Sequence, residues 1–199
     1  MNNDVILVGG FHETIELIQK CGLNLIGIID HSGKHVSTTA YSYLGSDAEF
    51  LEANEKKEVK IIISPDIPKV RRKLSELYLN SGYQLGSLVA GFVSESAKIG
   101  GGVVIQDQAY VSSMVNLGNG VKINVGAKVM HDCVIGDFTT VAPSAVVLGN
   151  VAVGKNCYIG ANSTILPNIK ILDDVTIGAG AVVTCDIAAG ATVKGVPAK

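Results

Sequence analysis

The stretch IGGGVVIQDQAYVSSMVNLGNGVKINVGAKVMHDCVIG, residues 99–136, carries a branched aliphatic side chain at every sixth position: Ile99, Ile105, Val111, Leu117, Ile123, Val129 and Ile135. The series starts at Val93, runs on through Val141, Val147, Val153, Ile159, Ile165, Ile171 and Ile177 to Val183, and ends at Ala189. Two residues before each aliphatic the side chain is small or slim, as at Ala109, Val115, Ala127, Cys133 and Thr139. An α-helix returns an apolar residue every three or four positions and a strand every two, so a period of six belongs to a higher-order repeat.

A parallel β-helix satisfies this period. Three short strands form the sides of a triangular prism, and each hexad supplies one side and its corner. The aliphatic residue points at the prism axis, and its equivalent three hexads later stacks on it at roughly 4.8 Å. The slim residue fits the narrow corner. Gly100, Gly118, Gly136, Gly154, Gly160 and Gly178 directly follow inward residues, where a positive φ or a close backbone approach is expected. About 100 residues make between five and six such coils, enough to bury a continuous core.

Ahead of the hexads the periodicity changes. Residues 4–8 (DVILV) read as a buried strand, GGFHE turns into an amphipathic helix, and residues 24–29 form a second strand ending at Asp30. Residues 31–45 are polar and turn-rich, a loop. A helix over 47–53 is capped by Ser46, a strand covers 59–63, and a helix over 68–80 has Pro68 near its first turn. Strands alternating with helices imply a small parallel sheet of Rossmann-like design. The third glycine of a dinucleotide fingerprint is missing after Gly9-Gly10, which argues against NAD. The expected organisation is an α/β domain over 1–88 and an all-β helix over 89–199.

Composition narrows the partners. The chain has 199 residues, 47% of them hydrophobic, and a net charge of −2. No basic cluster exceeds Arg71-Arg72-Lys73, so nucleic acid is a poor partner. No run of some 18 apolar residues suggests a membrane span, and a soluble cytoplasmic protein is expected. The four cysteines lack the paired spacing of a zinc site and are too few for a disulfide framework; Cys133 and Cys157 fall in the slim register, where cysteine acts as a small hydrophobe.

The hexads resemble those of the hexapeptide-repeat acyltransferases, and the resemblance implies a left-handed β-helix and a homotrimer. A small α/β unit followed by such a helix resembles, over the whole chain, the group of sialic acid O-acetyltransferases and bacterial nucleotide-amino-sugar N-acetyltransferases. INVGAKVMHDCVIGDF, residues 123–138, is its most specific part. LVGGFHE, IID and LGSD resemble the group's acceptor-binding segments, and GVPAK resembles the end of many members that use acetyl-CoA.

Only one histidine, His131, lies inside the repeat, and counting from Val129 places it at a corner, pointing outward. Acetyl transfer from acetyl-CoA needs a base that takes a proton as the acceptor attacks the thioester carbon, and imidazole suits that task near neutral pH. The resemblance nominates Asp132 to orient the ring, as the acid does in a triad. Gly149, eighteen residues on, holds the equivalent corner of the next coil, where its N–H would serve the oxyanion. The resemblance further implies coenzyme contacts at Thr140, where some relatives carry a second histidine, and at Ala161 and Ala179 beside Gly160 and Gly178. Phe11, His12 and Asp30 correspond to acceptor contacts, and Asn124 to a residue that bonds the acceptor or orients the base.

The expected activity is acetylation of the amino group of a nucleotide-linked amino sugar for bacterial surface glycans. O-acetylation of a sialic-acid-like sugar and a non-catalytic glycan-binding solenoid stand as alternatives. No metal is expected. The γ-type carbonic anhydrases share the helix but bind zinc through three histidines, and the repeat holds one. Cys133 lies two residues from His131, yet its register turns it inward, which favours direct transfer over an acyl-cysteine.

Overall fold

The computed structural model describes residues 3–31, 41–53 and 58–199, and most of the loop read at 31–45 lies outside them. The chain forms two compact units. Met1–Pro65 and Lys73–Leu88 make the first; Asp66–Arg72 and Val89–Lys199 make the second. A single cut at residue 88 therefore misplaces Asp66–Arg72, which packs with the repeat.

The elements ahead of the repeat are β1 (Asp4–Val8), α1 (His12–Lys20), β2 (Asn24–Ile29), α2 (Asp47–Ala53), β3 (Lys60–Ile63), α3 (Pro68–Asn80) and β4 (Gln84–Leu85). The strands run parallel in the order β2-β1-β3-β4. Val5–Val8, Ile28, Ile29, Ile61 and Ile62 are all buried, the near-continuous apolar runs of a parallel sheet. Ser46 and Glu49 form a reciprocal cap on α2: Ser46 N donates to Glu49 Oε2 at 2.7 Å, and Glu49 N donates to Ser46 Oγ at 3.4 Å. Those bonds hold the Glu49 carboxyl below its ordinary pKa.

In the second unit two-residue strands begin every six residues from Phe92–Val93 to Val182–Val183. Each pairs in parallel with the strand 18 residues away, as Lys122↔Thr140 and Thr140↔Tyr158 show. Three sheets of five, six and seven strands result. The inward column is shut off from solvent along its middle, with Ile105, Ile123, Val129, Ile159 and Ile177 at 0% exposure, and opens at its ends, where Ile99 is 41% exposed and Ala189 is exposed. Burying each such side chain contributes about 1.5–3 kcal/mol, and each coil gains it only by stacking on its neighbours.

The corners decide between a positive φ and a close approach. The left-handed residue is the third after the inward one, and many of these are not glycine: Gln108, Met114, Asp132, Phe138, Asn150 and Asn156 all have φ between 55° and 60°. Such a residue costs about 1–2 kcal/mol, offset where its N–H bonds the coil before it, as Asn150 N does to His131 O at 3.0 Å. The glycines directly after inward residues serve close approach instead. A Cβ at Gly136 would sit 2.6 Å from the carbonyl carbon of Gly154.

Asp66–Arg72 is held on the seven-stranded sheet by a buried polar cluster. Arg71 is 1% exposed. Its Nε donates to Gly120 O at 2.7 Å, and its Nη atoms donate to Phe138 O at 2.7 Å, Thr140 Oγ1 at 2.8 Å and Asp66 O at 2.9 Å. Lys122, 2% exposed, pairs its Nζ with Asp66 Oδ1 at 2.7 Å. Burial lowers the Arg71 pKa to about 10, against the pull of Asp66, so the group stays cationic at neutral pH. Replacing Arg71 by alanine strands several buried acceptors and is expected to cost on the order of 3 kcal/mol in urea unfolding, with no recovery by lysine, which lacks the planar fork. Among the described residues no helix is long and apolar enough to cross a membrane.

Candidate active site

The turn from Met130 to Cys133 joins strand Lys128–Val129 to strand Val134–Ile135. Cys133 faces the core at 0% exposure, while His131 and Asp132 face outward, their side chains 59% and 56% exposed. Asp132 is the left-handed residue of this corner, with φ 60°. Its carboxylate Oδ2 lies 2.8 Å from His131 Nδ1. In the tautomer with a proton on Nδ1 that carboxylate accepts it, and Nε2 keeps a free lone pair.

Gly149 lies one coil further on, against the ring. A Cβ there would stand 2.6 Å from His131 Cε1 and 2.7 Å from Nε2. Its φ is not left-handed, so glycine answers here to the imidazole and not to backbone strain. The Gly149 N–H donates to no described residue. An imidazole, a carboxylate and a glycine thus meet at one corner.

The thiol of Cys133 is turned away from this group. It donates to Leu148 O at 3.1 Å, and burial pushes its pKa up, which disfavours the thiolate a nucleophile needs. Cys133→Ala is expected to keep acetyl transfer within about threefold of the native rate, since a core alanine replaces a small hydrophobe. A loss as deep as that of His131→Ala would restore the acyl-cysteine route.

The other candidates lie elsewhere. Asn124, Ala161 and Ala179 stand on turns that leave the seven-stranded sheet for the six-stranded one, whereas His131 and Gly149 stand on turns that leave the six-stranded sheet. One chain therefore carries them on two different edges. Asn124 is 2% exposed; its Nδ2 donates to Asp66 Oδ1 at 3.4 Å, and its Oδ1 is buried without a partner. Ala161 and Ala179 are successive steps of one corner, Gly180 N donating to Ala161 O at 2.8 Å.

Thr140 is a correction. It is fully buried, its hydroxyl donating to Asp66 O at 2.6 Å and accepting from Arg71. A hydroxyl so engaged beneath Asp66–Arg72 does not present itself to a coenzyme. Asp66, Arg71 and Lys122, which enclose it, left no mark in the sequence, since Lys122 occupies the same outward register as the exposed Lys128.

In the first unit Phe11 and His12 open α1 beyond the carboxyl end of β1, and Asp30 ends β2. Gly10 N donates to Asp30 Oδ2 at 3.2 Å, and Phe11 N donates to Gly9 O at 2.9 Å. Asp30 is 7% exposed and Phe11 45%. The carboxyl ends of parallel strands are where such sheets bind ligands.

A β-helix whose corner sets an imidazole, held by a carboxylate, over a glycine offers the groups that acyl transfer uses. The family model for bacterial transferase hexapeptide (six repeats) matches residues 114–149 and 150–185. No curated protein matches the sequence. Among solved structures, the acetyltransferase domain of PglB from Neisseria gonorrhoeae FA1090 is 30% identical with a TM-score of 0.89, over 100% of this chain and 99% of that one. Its complex with acetyl coenzyme A is 29% identical with a TM-score of 0.91 over the same shares. PerB from Caulobacter crescentus, solved with CoA and GDP-perosamine, is 26% identical with a TM-score of 0.91, over 98% of this chain and 96% of that one. The chain belongs to the hexapeptide-repeat acetyltransferases that carry an N-terminal α/β unit, and its helix is left-handed.

Proposed function

We propose that the protein transfers the acetyl group of acetyl-CoA to the amino group of a nucleotide-linked amino sugar. The 2.8 Å contact between His131 Nδ1 and Asp132, with Nε2 packed over Gly149, carries this reading. The acceptor nitrogen attacks the thioester carbon while His131 Nε2 removes its proton, and Asp132 stabilises the resulting imidazolium. The Gly149 N–H donates to the oxyanion. Collapse of the tetrahedral intermediate breaks the carbon–sulfur bond, and the imidazolium returns its proton to the departing thiolate. An amide and free CoA result.

The nucleotide belongs at the carboxyl ends of β1 and β2, at Phe11, His12 and Asp30. PerB, with GDP-perosamine and CoA bound, supports an acceptor of this class. Acetyl-CoA as donor and a cytoplasmic setting follow from the same reaction.

The working form is a homotrimer. The coenzyme edge (Ala161, Ala179) and the histidine edge flank the same six-stranded sheet, so a groove holding both needs a second copy. One end of the outer face of that sheet supports this, since Phe92 and Tyr110 stack there with ring centroids 4.9 Å apart although 55% and 39% exposed, before the ladder turns polar at Lys128. An exposed apolar face of this kind marks an association surface. Tyr110→Glu is expected to convert a species of three 20.7 kDa chains to monomer in light scattering and to lower turnover at least about tenfold. A monomeric native protein with full activity would sink the trimer.

Incubation with acetyl-CoA and a panel of 4-amino nucleotide sugars, with thiol release as the readout, tests the activity. Release with an amine confirms it. Release only with hydroxyl acceptors points to O-acetylation, and tight binding without turnover points to a scaffold.

A further inference from the structure

A groove of about 350 Å³ opens on the second unit away from the histidine corner. One wall is the start of α3, with Pro68 and Lys69. The other is a pair of successive coils of the seven-stranded sheet, where Tyr158 and Thr176 are paired strand residues and Asn156 and Asp174 hold equivalent corners. The proposed acetyl transfer uses none of them. His131 follows a strand of a different sheet, and Ala161 and Ala179 stand on the turns that follow Tyr158–Ile159 and Thr176–Ile177, at the other end of those strands from the Asn156 and Asp174 corners.

The chemistry of the lining is selective. Its one cation and one anion already face each other, Lys69 Nζ lying 3.5 Å from Asp174 Oδ1. A phosphate finds no surplus positive charge here, and an ammonium no surplus negative charge. Pro68 and the partly buried ring of Tyr158 supply flat apolar surface. Burial first, and then the charge of Asp66, push the Tyr158 phenol up from its ordinary pKa, so it stays neutral and can both donate and accept. The exposed Thr176 hydroxyl can do the same.

A ligand with an apolar C–H face and a rim of hydroxyls matches such a surface, and the volume falls in the range of about 300–1,000 Å³ typical of small-molecule sites. We propose that this groove is a second carbohydrate site, taking an uncharged pyranose stacked on Tyr158 with its hydroxyls on Asp174 and Thr176. It operates whichever acceptor His131 serves.

The test uses the full chain and ligand-observed saturation-transfer NMR with the methyl glycosides of glucose, galactose and N-acetylglucosamine, and with glucuronate and glucosamine as charged controls. At least one methyl glycoside saturates the protein at a Kd on the order of 1–10 mM. Tyr158→Ala and Thr176→Arg each weaken it at least about tenfold while acetyl transfer stays within about twofold. Thr176→Arg fills the groove from an exposed position and keeps the test valid should the tyrosine variant unfold. No saturation by any uncharged glycoside, saturation by glucuronate alone, equal binding to Thr176→Arg, or displacement by the nucleotide of the acceptor overturns the proposal.

Discussion

Replacing His131 by alanine lowers kcat for acetyl transfer by about 10³-fold or more, with the KM for acetyl-CoA changed by less than about threefold. The imidazole is 59% exposed and, among the described residues, bonded only to Asp132, so its removal empties no core and the fold survives. The loss is that of a proton acceptor in the transition state, and added imidazole restores part of the rate. Asp132→Asn is milder, on the order of 10²-fold, because an amide can present its N–H to Nδ1 and stabilise the wrong tautomer. Steady-state kinetics on the folded variants decide the matter. A His131→Ala enzyme that keeps more than about a tenth of native kcat removes the base from the mechanism.

Gly149→Ala is the second large effect, on the order of 10²-fold in kcat. The added methyl would stand 2.6 Å from Cε1 and 2.7 Å from Nε2 of His131, closer than real Cβ contacts allow, and the outward imidazole is the side that yields. Backbone strain contributes nothing, since φ at this residue is ordinary. The urea midpoint therefore stays near that of the native protein while the base is displaced. The double variant separates this from damage to the oxyanion donor. If alanine acts by moving the ring, adding it to His131→Ala costs little more; if it acts on the N–H, the two losses multiply.

The extent to which the site was legible follows from what repeats and what does not. The outward placement of His131 and the inward placement of Cys133 come from counting hexads, and the structure sets the two side chains on opposite sides of the same turn. Asp132 was legible only as a neighbour in sequence. Its reach depends on a left-handed φ that carries the short carboxylate back to Nδ1. Thr140 read as a coenzyme contact because nothing in its hexad reveals that Asp66 and Arg71 cover it.

By itself the sequence determined the coil: a period of six, with a branched residue at the axis and a slim one at the corner, admits one kind of core, because every rung meets the same surroundings. The α/β unit was equally plain, its apolar runs and caps being local. Only the tertiary structure decided which outward faces are covered, that Asp66–Arg72 joins the second unit, and that Gly149 is the seat of an imidazole. The contacts of Asp66–Arg72 join residues up to 74 positions apart, and no periodic pattern encodes a contact made once.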